Sequence, residues 1–233
     1  MSFAFRNYWL LLIFVSVIHA EEPKKMADYY PTVQIYLDQR VTEFDQIPAE
    51  RQEQLKKISL YIQRQHQEKQ PANLTFICTH NSRRSHLAQI WAATAASYYG
   101  IGKVATFSGG TEATAFNSRA IAALERAGMK VKQTEEGKNP HYSVSYQDEG
   151  QGLDCFSKVY NQKPNPAENF CAVLTCADAD KSFPTVTGSS MRIAIPYEDP
   201  KVADGTAEEA AKYDERSRQI CREMLFLFSE VAQ

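Results

Sequence analysis

Hydrophobic positions in this chain change their period along its length, and each change marks an element. Val33, Leu37, Val41 and Phe44 recur at helical spacing over residues 31–44. Pro48 then opens a second helix carrying Leu55, Ile58 and Ile62. The polar run QRQHQEKQPAN, broken at Pro71, ends this pair, so residues 26–70 read as a helical extension packed on, or hinged to, the rest of the chain. From Asn73 the pattern alternates between short apolar runs and helical faces. LTFIC suits a buried parallel strand, and Leu87, Ile90, Trp91, Thr94 and Tyr98 share one helical face closed by Gly100. KVATFSGG reads as a second strand and FNSRAIAALERAGM as a helix ending at Gly128. KNPHYSVSYQDEGQGLDCFSKVYNQ is less regular, a hairpin or a long excursion. NFCAVLTC and MRIAIPY give a third and a fourth strand. Thr206 and Glu209 have capping-box spacing before a last helix lined by Ala210, Tyr213, Ser217, Ile220, Met224, Leu227 and Val231. Strand–helix alternation of this kind predicts an α/β fold with a parallel sheet flanked by helices over residues 71–233, with ligands bound beyond the carboxyl ends of the strands.

Composition adds little to that picture except at the N-terminus. With 43% hydrophobic and 23% charged residues the chain is ordinary for a globular protein, and a net charge of −2 gives no basic footprint for nucleic acid. Residues 1–20 differ: Arg6 precedes an apolar run from Tyr8 to Ile18, and His-Ala comes next. That run is too short to span a bilayer and reads as a candidate signal peptide cleaved after Ala20, which would leave no membrane span in the mature chain. The expected location is exported or periplasmic on this reading, and cytoplasmic if translation starts at Met26. Cys78, Cys155, Cys171, Cys176 and Cys221 are odd in number and irregular in spacing. They form neither a disulfide framework nor C-x-x-C metal pairs.

The candidate chemistry begins at the end of the first strand. Cys78 is followed by Thr79, His80, Asn81, Ser82, Arg83, Arg84 and Ser85, a C-x5-R-S spacing between strand and helix. A loop this short on a helix start turns successive backbone N–H groups inward as an anion nest. Those donors and Arg84 would favour a thiolate at Cys78 and bind a tetrahedral oxyanion, Arg84 through a bidentate fork. Residues 79–84 are thus the candidate oxyanion binders, and Ser85 a hydrogen-bond partner of the sulfur. Arg83 adds field at the mouth or faces water, His80 reads as a loop residue, and His86 as a surface one. A thiolate attacking phosphorus also needs a general acid for the departing oxygen. Asp199, restrained before Pro200 in IPYEDPKVADG, is the candidate, with Glu198 and Asp204 as alternatives.

FICTHNSRRSHLAQIW resembles the phosphate loop of the low-molecular-weight protein-tyrosine-phosphatase family, and in particular its thioredoxin-coupled arsenate-reductase branch. The likeness continues through FSGGTEATAFNSRAIAALERAGMKV, VLTCADADKSFP and YEDP. It implies a four-stranded parallel sheet, Cys78 as nucleophile, Arg84 as oxyanion binder, Ser85 assisting the thiolate and Asn81 bracing the loop. Asp199 would be general acid and then general base, with no cofactor or metal. The branch relays oxidation through three thiols; Cys176 matches the second, whereas Phe183 stands at the third and cannot form a disulfide. Lys201 stands where the phosphatases usually carry tyrosine after Asp-Pro.

The expected function is therefore a cysteine-dependent phosphomonoesterase acting on a phosphorylated protein or small phosphate ester through a phosphocysteine. The alternative is an arsenate reductase using Cys78 and Cys176 with an external thiol reductant of thioredoxin or glutathione type. A non-catalytic oxyanion-binding module is the reading from another class.

Overall fold

The computed structural model describes residues 28–148, 150 and 152–233, so the candidate signal peptide and Met26 lie outside the described residues. Four parallel strands form the central sheet: β1 (Ala72–Cys78), β2 (Val104–Gly110), β6 (Phe170–Leu174) and β7 (Ser189–Ala194), in the order β2-β1-β6-β7. The two parallel pairs that are consecutive in sequence are joined by crossover helices, β1 to β2 by α3 (Arg84–Tyr98) and β6 to β7 by α5 (Ala177–Ser182). The expected α/β architecture with a four-stranded parallel sheet is thus what the chain forms.

Helices cover the sheet, which divides the interior into two clusters. Leu74, Phe76 and Val173 pack with α3 and α6 (Glu209–Val231) in the larger one, and Ile77, Cys78, Phe170, Leu174 and Cys176 line the smaller. Helix α3 is buried on nearly all sides, because the sheet lies against one face and α6 against another. Trp91 marks that contact, its Nε1 donating to Ser217 Oγ at 2.9 Å. Helices α1 (Pro31–Val41) and α2 (Ala49–Gln67) also pack on α6. Val33, Leu37, Leu55, Ile58 and Ile62 are fully buried in the larger cluster, and Ser59 Oγ donates to Leu227 O at 2.7 Å. Glu43 sits buried among Arg40, Arg218 and Arg222, tying the turn after α1 to α6.

Three local expectations change. The capping box does not form: Glu209 Oε2 accepts from the Gly205 amide and pairs with Arg119 at 2.7 Å, while Thr206 Oγ1 donates to Ala203 O. Ala210 is exposed and Val231 only half-buried, so α6 buries the face centred on Tyr213, Ile220, Met224 and Leu227. The irregular segment carries a hairpin, but within a three-stranded antiparallel sheet, β3 (Lys130–Glu135), β4 (His141–Ser145) and β5 (Leu153–Cys155), whose first strand the pattern does not reveal.

Candidate active site

Strand β1 delivers Cys78 to the carboxyl edge of the sheet, paired in register with Gly110 of β2. The chain then loops through residues 79–83 and enters α3 at Arg84. The fate of its carbonyls shapes this loop. Cys78 O accepts from the Thr111 amide (3.2 Å) and Thr79 O from the Glu112 amide (3.0 Å) and Thr111 Oγ1 (2.9 Å). His80 O accepts from Ser157 Oγ and Thr114 Oγ1, and Ser82 O from the Asn117 amide. Carbonyl and following amide point opposite ways across a planar peptide. Holding these carbonyls outward therefore turns the amides of residues 79, 80, 81 and 83 inward, where among the described residues they meet no carbonyl. The loop is backed by residues 111–117 and Ser157.

Asn81 makes the reversal possible, with φ of 44° in the left-handed region that asparagine tolerates. It is fully buried and its amide is oriented from behind, since the Lys158 backbone N–H donates to its Oδ1 at 2.9 Å. Its Nδ2 must then face Ser85 Oγ, donating at 2.9 Å. With that lone pair engaged, the Ser85 hydroxyl is free to donate its own proton to Cys78 Sγ, 3.1 Å away. A directed chain thus runs from the Lys158 amide to the sulfur and stabilises negative charge there.

Arg84 is buried at the loop's end, its Nη1 donating to Tyr197 O (3.1 Å) and its Nη2 pairing with Asp199 Oδ2 (3.0 Å). Its Nε has no partner among the described residues, leaving a buried cationic donor beside the nest. Asp199 also takes Arg83 in a fork, Nε to Oδ1 at 2.8 Å and Nη2 to Oδ2 at 3.1 Å, and its Oδ1 accepts from the Lys201 amide at 3.1 Å. Burial pushes its carboxyl upward, but Arg84, Arg83 and the Lys201 amide together outweigh that and hold it below the ordinary aspartate value. The other two acids stand apart from the loop. Glu198 is exposed with Arg216 as its contact at 3.4 Å, and Asp204 accepts from Tyr213 Oη at 2.8 Å.

Arg83 is accordingly neither a solvent residue nor aimed into the nest, because its guanidinium is committed to Asp199. His80 stands at the half-exposed rim, Nε2 2.9 Å from Glu112. Ser82 Oγ donates to Ala115 O, which fastens the loop outward. Thr79 lies at the rim with Oγ1 3.5 Å from Cys176 Sγ. Cys176 is fully buried, and its sulfur accepts from the Ala179 amide at 3.4 Å, capping α5. Phe183 ends α5 and packs edge-on against Tyr160 at 5.2 Å.

His86 corrects the surface reading. It is fully buried, stacked on Phe116 at 4.1 Å with Nδ1 3.2 Å from Ser108 Oγ. Burial, and then the charge of Lys158, push its titration well below the ordinary histidine value. Between the folded and the unfolded titration, the unfolded chain binds a proton that the native state refuses, so stability is lost as pH falls below about 6.5. Thermal melts across pH 5–7 should show this slope, and His86→Phe should flatten it, at most ~1.4 kcal/mol per pH unit. An unchanged slope would assign the pH dependence to other groups.

Lys158 and Ser157 escape the sequence reading, since they lie in the irregular segment and act through backbone N–H and a hydroxyl rather than through a motif. The Lys158 side chain is itself buried, its Nζ donating to Phe156 O at 3.1 Å, and burial lowers its titration.

Residues 73–142 match the family of low molecular weight phosphotyrosine protein phosphatases. The resemblance read in the sequence is thus found again, over β1 and the loop that follows it, β2 and α4 (Ser118–Arg126). An arsenate reductase of Bacillus licheniformis is 27% identical over 159 residues, which cover 68% of this chain and 95% of the relative. Solved structures of similar topology include a YwlE mutant from Bacillus subtilis, with 13% identity, a TM-score of 0.47, and coverage of 70% of this chain and 99% of that one. A low molecular weight phosphotyrosine phosphatase from Vibrio cholerae has 11% identity and a TM-score of 0.46, covering 68% of this chain and 95% of that one.

Proposed function

We propose that the protein is a cysteine-dependent phosphomonoesterase. Cys78 Sγ attacks the phosphorus of a monoester bound by the inward amides of the loop and by Arg84. As the P–O bond breaks, Asp199 gives its proton to the leaving oxygen, and a phosphocysteine remains. Water then attacks phosphorus, Asp199 takes a proton from it, the S–P bond breaks and the thiolate returns, stabilised by Ser85. The observation that supports this reading is a buried thiol held by the Ser85 hydroxyl at the start of a loop whose carbonyls are tied outward, with the arginine at the loop's end paired to Asp199. Asp199 is paired and ionised in the resting arrangement. A phosphate dianion drawing Arg84 to itself weakens that pairing and lets the carboxyl accept the proton it must later donate.

The second reading, arsenate reduction with an external thiol, is favoured by the position of Cys176 beside Thr79 and by the Bacillus licheniformis relative. Against it stand Phe183 and the chemistry of the other thiols. Burial pushes Cys155 up to about 12 and raises Cys171 further, so neither supplies a ready thiolate. Cys171 also lies within β6 in the larger core cluster, whereas Cys176 lies in the smaller one. One preparation separates the readings when assayed for aryl-phosphate hydrolysis and for thiol-dependent arsenate reduction. Hydrolysis should survive Cys176→Ser and vanish in Cys78→Ser. Arsenate turnover lost in both variants, without phosphatase activity in the wild type, would replace the first reading by the second.

A further inference from the structure

The two arginines of the loop divide their work unequally. Arg84 has a donor in reserve, because its buried Nε has no hydrogen-bond partner among the described residues. Arg83 is committed: its Nε and Nη2 both go to Asp199, at 2.8 and 3.1 Å, from the residue that caps the start of α3. We infer that Arg83 is a positioning residue, tethering the Asp199 carboxyl over the nest throughout the cycle while Arg84 is exchanged between Asp199 and the bound oxyanion. The inference rests on the phosphatase reading and deepens it.

Geometry supports the division. Asp199 begins the short 3-10 turn Pro200–Ala203, which by itself offers the carboxylate a single backbone donor, the Lys201 amide. Once an oxyanion takes Arg84, the Arg83 fork is the remaining side-chain link between this turn and the loop. Bidentate pairing fixes carboxylate orientation as well as distance, which a lysine could not copy. The pair is mostly buried, with side-chain exposures of 10% for Arg83 and 24% for Asp199, so solvent screens it less than a surface bridge.

The other groups around Asp199 leave its charge to the arginines. From α6, Tyr213 donates to Asp204 and burial keeps its hydroxyl protonated, while Arg216 faces Glu198. The tether has a chemical consequence. A cation fixed on the carboxylate favours its ionised form, which suits the base needed for hydrolysis of a phosphocysteine and works against the acid needed for its formation. The enzyme should therefore prefer esters whose leaving oxygen needs little protonation, aryl rather than alkyl.

Profiles of kcat/KM against pH test this with phenyl phosphate and with p-nitrophenyl phosphate, for wild type, Arg83→Gln and Arg83→Lys. In Arg83→Gln the alkaline limb for phenyl phosphate should move to higher pH, and the plateau should fall on the order of tenfold or more as orientation is lost. Arg83→Lys keeps the charge but not the fork, so the limb should return toward wild type while the plateau stays low. A plateau that falls with the limb unmoved in Arg83→Gln is the signature of a merely structural residue and overturns the inference. A 13C-NMR titration of the Asp199 carboxyl in the Cys78→Ser background, assigned by its loss in Asp199→Asn, reads the same coupling without turnover. Its midpoint should rise in Arg83→Gln, and an unmoved midpoint overturns the tether. Wild-type protein that hydrolyses neither ester defeats the phosphatase reading, and the titration then still decides whether Arg83 governs Asp199.

Discussion

Replacing Gly110 by alanine should destabilise the protein by about 3 kcal/mol and abolish oxyanion binding. A Cβ at this position would lie 2.2 Å from Glu112 O, 2.7 Å from Thr79 O and 2.8 Å from the Asn81 amide nitrogen. All three are backbone atoms of the nest or of its backing segment, so no side chain can swing aside. The chain must separate residues 79–81 from 111–112, and the separation breaks the bonds that hold the Cys78 and Thr79 carbonyls outward. Once those carbonyls are free, nothing fixes the amides inward, and the damage reaches chemistry as well as stability. For a chain of this length the expected fall in Tm is roughly 6–12 °C. Inorganic phosphate, which should raise the Tm of the wild type through binding to the native state, should no longer raise that of the variant. Gly102→Ala is the control, because a Cβ there meets nothing within 4 Å; its effect should stay within about 0.5 kcal/mol. Equal losses in the two variants would mean that close approach at Gly110 is not what shapes the loop.

That glycine also marks the boundary of what sequence makes legible. The FSGG run reads as a strand end, but the reason for its second glycine is a tertiary contact, the passage of residues 79–81 across β2. Elements with a strong apolar pattern emerge from the sequence: β1, the face of α3 centred on Leu87, Ile90 and Trp91, and the buried stripe of α6. Strand β3 does not, because Lys130–Glu135 is mostly exposed and polar, and its pairing with β4 rather than any alternation makes it a strand. Helix α5 does not, because ADADKS is one short polar turn capped by a thiol, a residue outside the usual capping set. His86 falls on the surface only in a single-faced picture of α3, whereas that helix is buried almost all round. Cys78, Arg84 and Asp199 are readable as a set from their spacing and context; the structure pairs Arg84 with Asp199 and puts Cys78 at the start of the same loop. Spacing cannot give the direction of the Lys158–Asn81–Ser85–Cys78 chain or the partner of Arg83. Both depend on segments more than seventy residues downstream.

Asp199→Asn should separate the two halves of the reaction. Asparagine keeps an oxygen that can accept from Arg83, so the turn at Pro200 should stay docked, but the side chain can neither give nor take a proton. For an ester with a poor leaving group, such as phenyl phosphate, formation of the phosphocysteine should slow by ~10²–10⁴-fold, the usual range for a positioned acid. For p-nitrophenyl phosphate the first step needs little protonation, and the loss should instead appear in hydrolysis of the intermediate. Rapid mixing should then show a burst of nitrophenolate close to one equivalent of enzyme, followed by slow turnover. The burst should be absent from Cys78→Ser, and the trapped protein should gain the mass of a phosphoryl group. The pH dependence carries a second signature. Asp199 titrates below the ordinary aspartate value because Arg84 and Arg83 outweigh its burial, so the falling limb it produces as the acid should be centred at acidic pH and disappear in the variant. Stability has the same sign: the pairing contributes fully above the unfolded aspartate value and is lost as pH falls through the lower, folded one. Full activity of Asp199→Asn toward phenyl phosphate would remove this residue from the chemistry. The acid would then have to be sought among groups that the resting structure keeps away from the loop, with exposed Glu198 the first to mutate.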